Sequence, residues 1–143
     1  MDLLCRIIDA NLNRLREGVR VIEDIARYAL NDKNLSKRLK HIRHITRINN
    51  KHLLESRDIK NDVSKQSIES EIKRNNLKDV AIANFKRAEE SARVLEELLK
   101  IDSSDLHSNI QFIDSVDSAV FKHIRYELYD IEIEYFRLMD SIK

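Results

Sequence analysis

The stretch ANLNRLREGVRVIED, Ala10 to Asp24, returns later in the chain as ANFKRAEESARVLEE, Ala83 to Glu97. Seven of the fifteen positions are identical: Ala10 with Ala83, Asn11 with Asn84, Arg14 with Arg87, Glu17 with Glu90, Arg20 with Arg93, Val21 with Val94 and Glu23 with Glu96. Shared helical composition does not readily give so many. Each copy lies in a run whose apolar residues recur at helical spacing: Ile8, Leu12, Leu15, Val19, Ile22, Ala26 and Ala29 around the first, Val80, Ala88, Leu95 and Leu99 around the second. A second echo, Lys40-His41-Ile42-Arg43 and Lys122-His123-Ile124-Arg125, follows downstream in each half. The expected fold is all-α, a bundle of about four long helices formed by two pseudo-repeated helical hairpins with approximate twofold symmetry.

Working outward, the first helix is expected from about Leu3 to Leu30, ended by the polar break Asn31-Asp32-Lys33-Asn34. Leu35, Leu39, Ile42, Ile45 and Leu53 predict a second helix to about Ser56, and Arg57 to Lys65 reads as a loop. A third helix starts between Ser67 and Leu77 and runs to about Lys100. Asp102-Ser103-Ser104-Asp105 is an N-cap cluster for a fourth element carrying Ile113, Val116, Val120, Ile124, Leu128 and Ile131. Residues 1–143 are expected to form a single helical domain.

Composition narrows the function. One Gly and no Pro in 143 residues leave little room for a β fold or a glycine-rich phosphate loop. With 26 Lys and Arg against 25 Asp and Glu, the net charge of +1 gives no field to steer the chain onto nucleic acid or an anionic membrane, so neither is an expected partner. The N-terminus is too short in apolar residues and too charged for a signal peptide, and no long apolar run occurs; a cytoplasmic protein is expected. Cys5 is alone and reads as a small apolar helix residue. His41 and His44 are three apart, but no Glu-x-x-His accompanies them, which disfavours a ferritin-like metal site.

The repeated polar residues carry the functional signal. At about 100° per residue, Asn11 falls at the centre of the apolar stripe, between Leu15 and Ile22, and Asn84 sits between Ala88 and Leu95 in the same way. A core-facing amide needs partners, which an Asn-to-Asn contact across the pseudo-twofold or a ligand would provide. Arg14 and Glu17, with Arg87 and Glu90, climb from each Asn onto a mixed flank. Arg20, Glu23, Arg93 and Glu96 point away from the stripe, where i,i+3 ion pairs on solvated faces are an equal alternative. A guanidinium beside the apolar edge calls for an anion, carboxylate or phosphate. Asp58 and Asp62, in the loop after Arg57, suit Mg²⁺ as oxygen donors, and suit local Asx turns as well.

In this order the residues resemble the small all-helical hydroxymethylpyrimidine-phosphate kinase family of thiamine biosynthesis, often fused ahead of thiamine-phosphate synthase and sometimes free-standing. The likeness covers about Arg6 to Glu132. It rests on RIIDANLNR from Arg6, REGVRVIED from Arg16, Arg57-Asp58 with Asp62-Val63, Ala83-Asn84, Arg87, ARVLEE from Ala92, and Arg125-Tyr126 with Tyr129. Ser64 stands where the family has Gly, and Ser91 where it has Ala. The chain ends at Lys143, so a free-standing domain is expected.

That resemblance implies ATP-dependent conversion of 4-amino-5-hydroxymethyl-2-methylpyrimidine phosphate to the diphosphate, with Mg²⁺ as cofactor. Arg14, Arg87, Arg57 and Arg125 would then bind phosphate, with Arg20 and Arg93 also on the substrate side. Asp58 and Asp62 would serve Mg²⁺, and Asn11 or Asn84 the pyrimidine edge or the pocket geometry. Glu17 and Glu90 would orient the arginines or hold metal. Small-molecule substrates are the expected partners, with a homodimer as a further option. The competing readings are a chorismate-mutase-like bundle acting on a small anion without ATP, and a non-catalytic helical interaction module.

Overall fold

A computed structural model of the chain describes residues 3–48, 50–68, 73–101 and 117–142. Among the described residues there are five helices: α1 (Leu3–Tyr28), α2 (Lys33–Ile45), α3 (Lys51–Glu55), α4 (Leu77–Leu98) and α5 (Ser118–Ser141). The fold is all-α. α1 packs on α2 and α4 on α5, as two hairpins joined along the long α1–α4 contact.

Local chemistry sets the boundaries. The break after α1 becomes a tight turn because Asn31 adopts φ 52°, a left-handed conformation that Asn tolerates, while the amide of Asp32 donates to the carbonyl of Ala26 at 3.0 Å. The Asp32 carboxylate then caps α2, accepting from the amide of Leu35 at 2.8 Å. Asn76 caps α4 and Asp117 caps α5 in the same way, by accepting from Asp79 and Val120. The Asp102 to Asp105 cluster, with Ile113 and Val116, lies outside the described residues.

The second helix is shorter than its pattern predicted. It stops at Ile45, where the Thr46 hydroxyl donates to the carbonyls of Ile42 and Arg43 at 2.8 and 3.2 Å. A β-branched hydroxyl residue so placed satisfies the last-turn carbonyls itself and ends the helix. Asn50 then starts α3 separately, its side chain accepting from the amide of His52. Leu53, which extended the apolar period, is buried from this separate turn.

The α1–α4 contact is close because its residues are small. A Cβ built on Gly18 would lie 3.0 Å from the carbonyl oxygen of Asn84 and 3.5 Å from the Cβ of Ala88. Around this crossing Leu15, Val19, Ile22, Phe85, Ala92 and Leu95 are fully buried. Tyr135 on α5 closes the core, with its ring edge-on to Phe85 at 4.8 Å and its hydroxyl donating to the carbonyl of Ile22 at 3.0 Å. Burial pushes that hydroxyl's pKa well up.

The second echo explains itself in space. Arg43 on α2 grips Glu23 through two nitrogens, at 2.8 and 3.3 Å, and Arg125 on α5 grips Glu96 at 3.0 and 3.5 Å. Each repeated glutamate is 3% exposed, so for Glu23 and Glu96 the alternative of ion pairs on solvated faces is overturned. They face away from the α1–α4 seam but into the second helix of their own hairpin. A carboxylate buried this deeply is tolerable only with such a fork opposite it.

The halves differ where Arg16 of the first copy is replaced by Glu89 of the second. Glu89 is 4% exposed and accepts from Lys86 at 3.2 Å, while Lys86 also reaches Glu132 on α5 at 3.3 Å. Burial first, and the Glu132 carboxylate second, push Glu89 up to about 8.

Two outcomes follow. Gly18→Ala gains about 1 kcal/mol of helix propensity but forces two backbones apart, at a cost of about 1 to 3 kcal/mol, so Tm falls; an unchanged or higher Tm would show that the seam yields. Because Glu89 holds its proton more tightly folded than unfolded, its contribution is present in acid and is lost as pH rises through the folded value. Tm measured between about pH 5 and pH 9 should therefore decline less in Glu89→Gln than in the parent chain.

Candidate functional site

The loop after α3 is clipped onto the first turns of α1. Arg57 donates through two nitrogens to Asp9, both at 2.9 Å, and Arg6 donates to the carbonyl of Asp58 at 3.0 Å. Asp9 needs this partner because it lies on the buried side of α1, three residues before Leu12 and four after Cys5. The hydrogen bonds and charge of Asp9 raise the Arg57 pKa further. The loop carboxylates also organise the turn itself. Asp58 accepts from the amides of Lys60 and Asn61 and from the Asn61 side chain at 2.7 Å, and Asp62 accepts from the amide of Ser64 at 3.0 Å. The Asn61 donors hold the Asp58 carboxyl below its usual range, so it is ionised at neutral pH.

Between this loop and α1 runs a cleft of about 620 Å³, where Arg6, Arg14 and Arg57 face Asn11, Asp58 and Asp62, with Leu3, Ile7 and Ile59 as apolar wall. Asn11 and Arg14 also line an adjoining hollow of about 550 Å³, whose other side is Arg87, Glu90, Ser91 and Val94 on α4, with Ser64. The two repeated arginines, Arg14 and Arg87, thus meet over one groove. Among the described residues neither forms an ion pair, whereas Arg38, Arg43, Arg57 and Arg125 each hold a carboxylate.

The repeated asparagines do not bond to one another. Each donates its side-chain nitrogen to the carbonyl four residues back, Asn11 to Ile7 at 2.9 Å and Asn84 to Val80 at 2.8 Å. A carbonyl accepts only from the NH₂ end, so this bond fixes the amide's orientation and leaves the Asn11 oxygen as an acceptor beside the groove.

Of the residues singled out in the sequence, Asn11, Arg14, Arg57, Asp58, Asp62, Arg87 and Glu90 line these two hollows. Glu17, Arg20, Asn84, Arg93 and Arg125 line neither. Arg20 pairs with Asp24 at 3.3 Å, and Arg93 with Glu97 at 3.3 Å and with the buried Glu96 at 3.6 Å. Arg125 is held by Glu96, with its guanidinium 5.1 Å from the ring centre of Tyr126 and 5.8 Å from that of Tyr129. Among the described residues no three His, Cys, Asp or Glu side chains converge as a metal cage. Asp58 and Asp62 together offer the one or two carboxylates that Mg²⁺ takes beside substrate phosphates. Arg6 and Asp9 were missed as site residues. The signal for Asp9 was its helical spacing against Cys5 and Leu12, which buries a carboxylate and so demands a cation.

The model of the ThiD2 family matches residues 6–134. The chain belongs to the ThiD2 family. This is the hydroxymethylpyrimidine-phosphate kinase family of thiamine biosynthesis that the motifs resembled. The chain is also similar to proteins named thiamine-phosphate synthase. It is 35% identical over 133 residues to that of Prochlorococcus marinus subsp. pastoris, covering 92% of this chain and 35% of the relative. It is 35% identical over 131 residues to that of Synechocystis sp., covering 90% and 35%, and 34% identical over 142 residues to that of Rhodopirellula baltica, covering 95% and 38%. The chain thus spans about a third of the length of these relatives. No solved structure matches it. No helix among the described residues is long and apolar enough to cross a membrane.

Within this ThiD2-family fold, Arg43→Ala strands the buried Glu23 and should lower stability by about 3 to 5 kcal/mol in chemical denaturation. Arg125→Ala should cost less, because Arg93 remains 3.6 Å from Glu96. An equal loss in the two variants would show that Arg93 contributes nothing to holding Glu96.

Proposed function

We propose that the chain transfers the γ-phosphoryl group of ATP to 4-amino-5-hydroxymethyl-2-methylpyrimidine phosphate, giving the diphosphate. The observation that supports this most is the meeting of Arg14 and Arg87, unpaired among the described residues, over one groove. Arg57 and Arg6 line the adjoining cleft, beside an apolar wall suited to a small ring. Membership of the ThiD2 family supports the same reading.

The acceptor's phosphate oxygen is already ionised near neutral pH, so the reaction needs no strong general base. What it needs is alignment of two polyanions that repel one another, and compensation of charge on the group in transfer. Unlike charges about 4 Å apart attract by roughly 4 kcal/mol at an effective dielectric of 20, so a few converging guanidinium groups reach a useful scale. In this reading Arg14 and Arg87 hold phosphoryl oxygens, and Arg57, fixed by Asp9, presents its remaining N–H edge. Arg6 keeps the loop closed on α1. The Asn11 oxygen accepts from the exocyclic amine of the pyrimidine, whose ring lies against Ile7 and Ile59. Asp58 and Asp62 are the residues that would hold Mg²⁺, which when bound supplies further charge compensation. Glu90 orients Arg87.

Turnover should require ATP, Mg²⁺ and the phosphorylated pyrimidine. The uncharged alcohol should be rejected, because it leaves the arginines without their anion. Arg14→Ala and Arg87→Ala should lower kcat/KM by about 10²-fold with circular dichroism unchanged. Unchanged kcat/KM in either folded variant would remove that arginine from the site. A chain that shows no thermal shift with ATP or the pyrimidine monophosphate would instead favour the non-catalytic module.

A further inference from the structure

The two hairpins are unequal, and the inequality leaves a cavity. Setting Arg43 over Arg125 places Thr46 over Leu128, yet α2 ends at Ile45 while α5 continues to Ser141. In the second hairpin that continuation brings Glu132 against Lys86, beside Glu89, and seats Ile131 and Tyr135 in the core. In the first hairpin the chain turns away at Thr46 into α3. The space left against α1 is a hollow of about 410 Å³, separate from the groove of Arg14 and Arg87. Its wall toward the groove is the Asp9–Arg57 pair, which lines both this hollow and the neighbouring cleft.

The polar lining of this hollow is cationic. Arg16, Lys51 and Arg57 line it against a single carboxylate, Asp9, which Arg57 already occupies with both oxygens. Arg16 is half-buried at the position that Glu89 takes in the other repeat. Among the described residues it has no carboxylate partner, and its Nε reaches only the carbonyl of Arg43, at 3.4 Å. Burial, then the like charges of Arg47 and Arg43, press its pKa down. A partly desolvated guanidinium among other cations, with an open hollow before it, is stabilised by whatever anion enters. Asn13 and Asn50 add polar edges, and Leu12 and Leu53 close the floor.

We infer that this hollow is a second anion subsite, built by Arg16, Lys51 and Arg57, that takes the polyphosphate of the nucleotide while the Arg14–Arg87 groove takes the acceptor's phosphate. The inference rests on the kinase reading for its choice of ligand, and on the unequal hairpins for its location. Arg57, which lines this hollow on one side and the cleft adjoining the groove on the other, then stands between donor and acceptor phosphoryl groups.

The test uses the whole chain with inorganic tripolyphosphate, ATP and the pyrimidine monophosphate as probes. Tripolyphosphate should raise Tm, and Arg16→Ala and Lys51→Ala should abolish most of that shift while circular dichroism is retained. Lys51 is exposed, so its variant is safe from misfolding. In both variants KM for ATP should rise by about tenfold or more, with KM for the pyrimidine monophosphate unchanged. Folded variants that keep the full tripolyphosphate shift, or an unchanged KM for ATP, would overturn the subsite while leaving the kinase reading standing. A shift that survives in these variants but disappears in Arg14→Ala would place the polyanion in the groove and overturn it equally. A chain without kinase activity whose tripolyphosphate shift depends on Arg16 would support the subsite and sink the kinase reading.

Discussion

The close approach of α1 and α4 at Gly18 is the constraint on which the rest depends. A Cβ at Gly18 would crowd the carbonyl oxygen of Asn84 at 3.0 Å, so the side-chain-free residue is what lets the helices approach this closely and brings the two repeats side by side. Arg14 and Arg87 come to one groove because the helices carrying them are pressed together a turn away. A wider seam would separate them, and the chain has almost no glycine with which to build a backbone phosphate cradle instead.

The second hairpin helices, α2 and α5, make that seam durable. Each binds its own α1 or α4 through a buried arginine–glutamate fork, Arg43 to Glu23 and Arg125 to Glu96, so the repeat in sequence is a repeat in electrostatics as well as in packing. This also sorts the arginines by task. Those paired to buried carboxylates fix helices, Arg57 fixes a loop through Asp9, and Arg14 and Arg87, which hold no carboxylate among the described residues, line an open hollow. An arginine-rich chain with a net charge near zero can build local anion sites only by such sorting.

Much of this was legible in the sequence. Apolar periodicity and the repeat gave the helices and the hairpin pairing, and the Asn-Arg-Glu ridges led to Asn11, Arg14, Arg87 and Glu90, which share a groove. Other parts were misread for identifiable reasons. Extending α2 to Ser56 followed the apolar period through Leu53, but the Thr46 hydroxyl and the Asn50 cap decide locally where a helix stops, and period alone does not register them. A solvated face stayed open for Glu23 and Glu96 because a single-helix projection records one packed face, whereas α1 and α4 each have two. The echo Lys-His-Ile-Arg contained the missing information: a repeated arginine on a second helix is the natural partner of a repeated glutamate on the first. Arg125, grouped with the phosphate ligands for its chemistry, gives two nitrogens to Glu96 and lines neither hollow, a placement that the sequence alone did not signal.

The proposed reaction turns on Arg14 and Arg87, one from each repeat, holding phosphate over a shared groove. A crystal structure of the chain with the pyrimidine monophosphate and a non-hydrolysable ATP analogue tests it most directly. A phosphoryl oxygen should then lie within hydrogen-bond distance of both guanidinium groups. Phosphates bound elsewhere, with Arg14 and Arg87 both turned to bulk water, would contradict it.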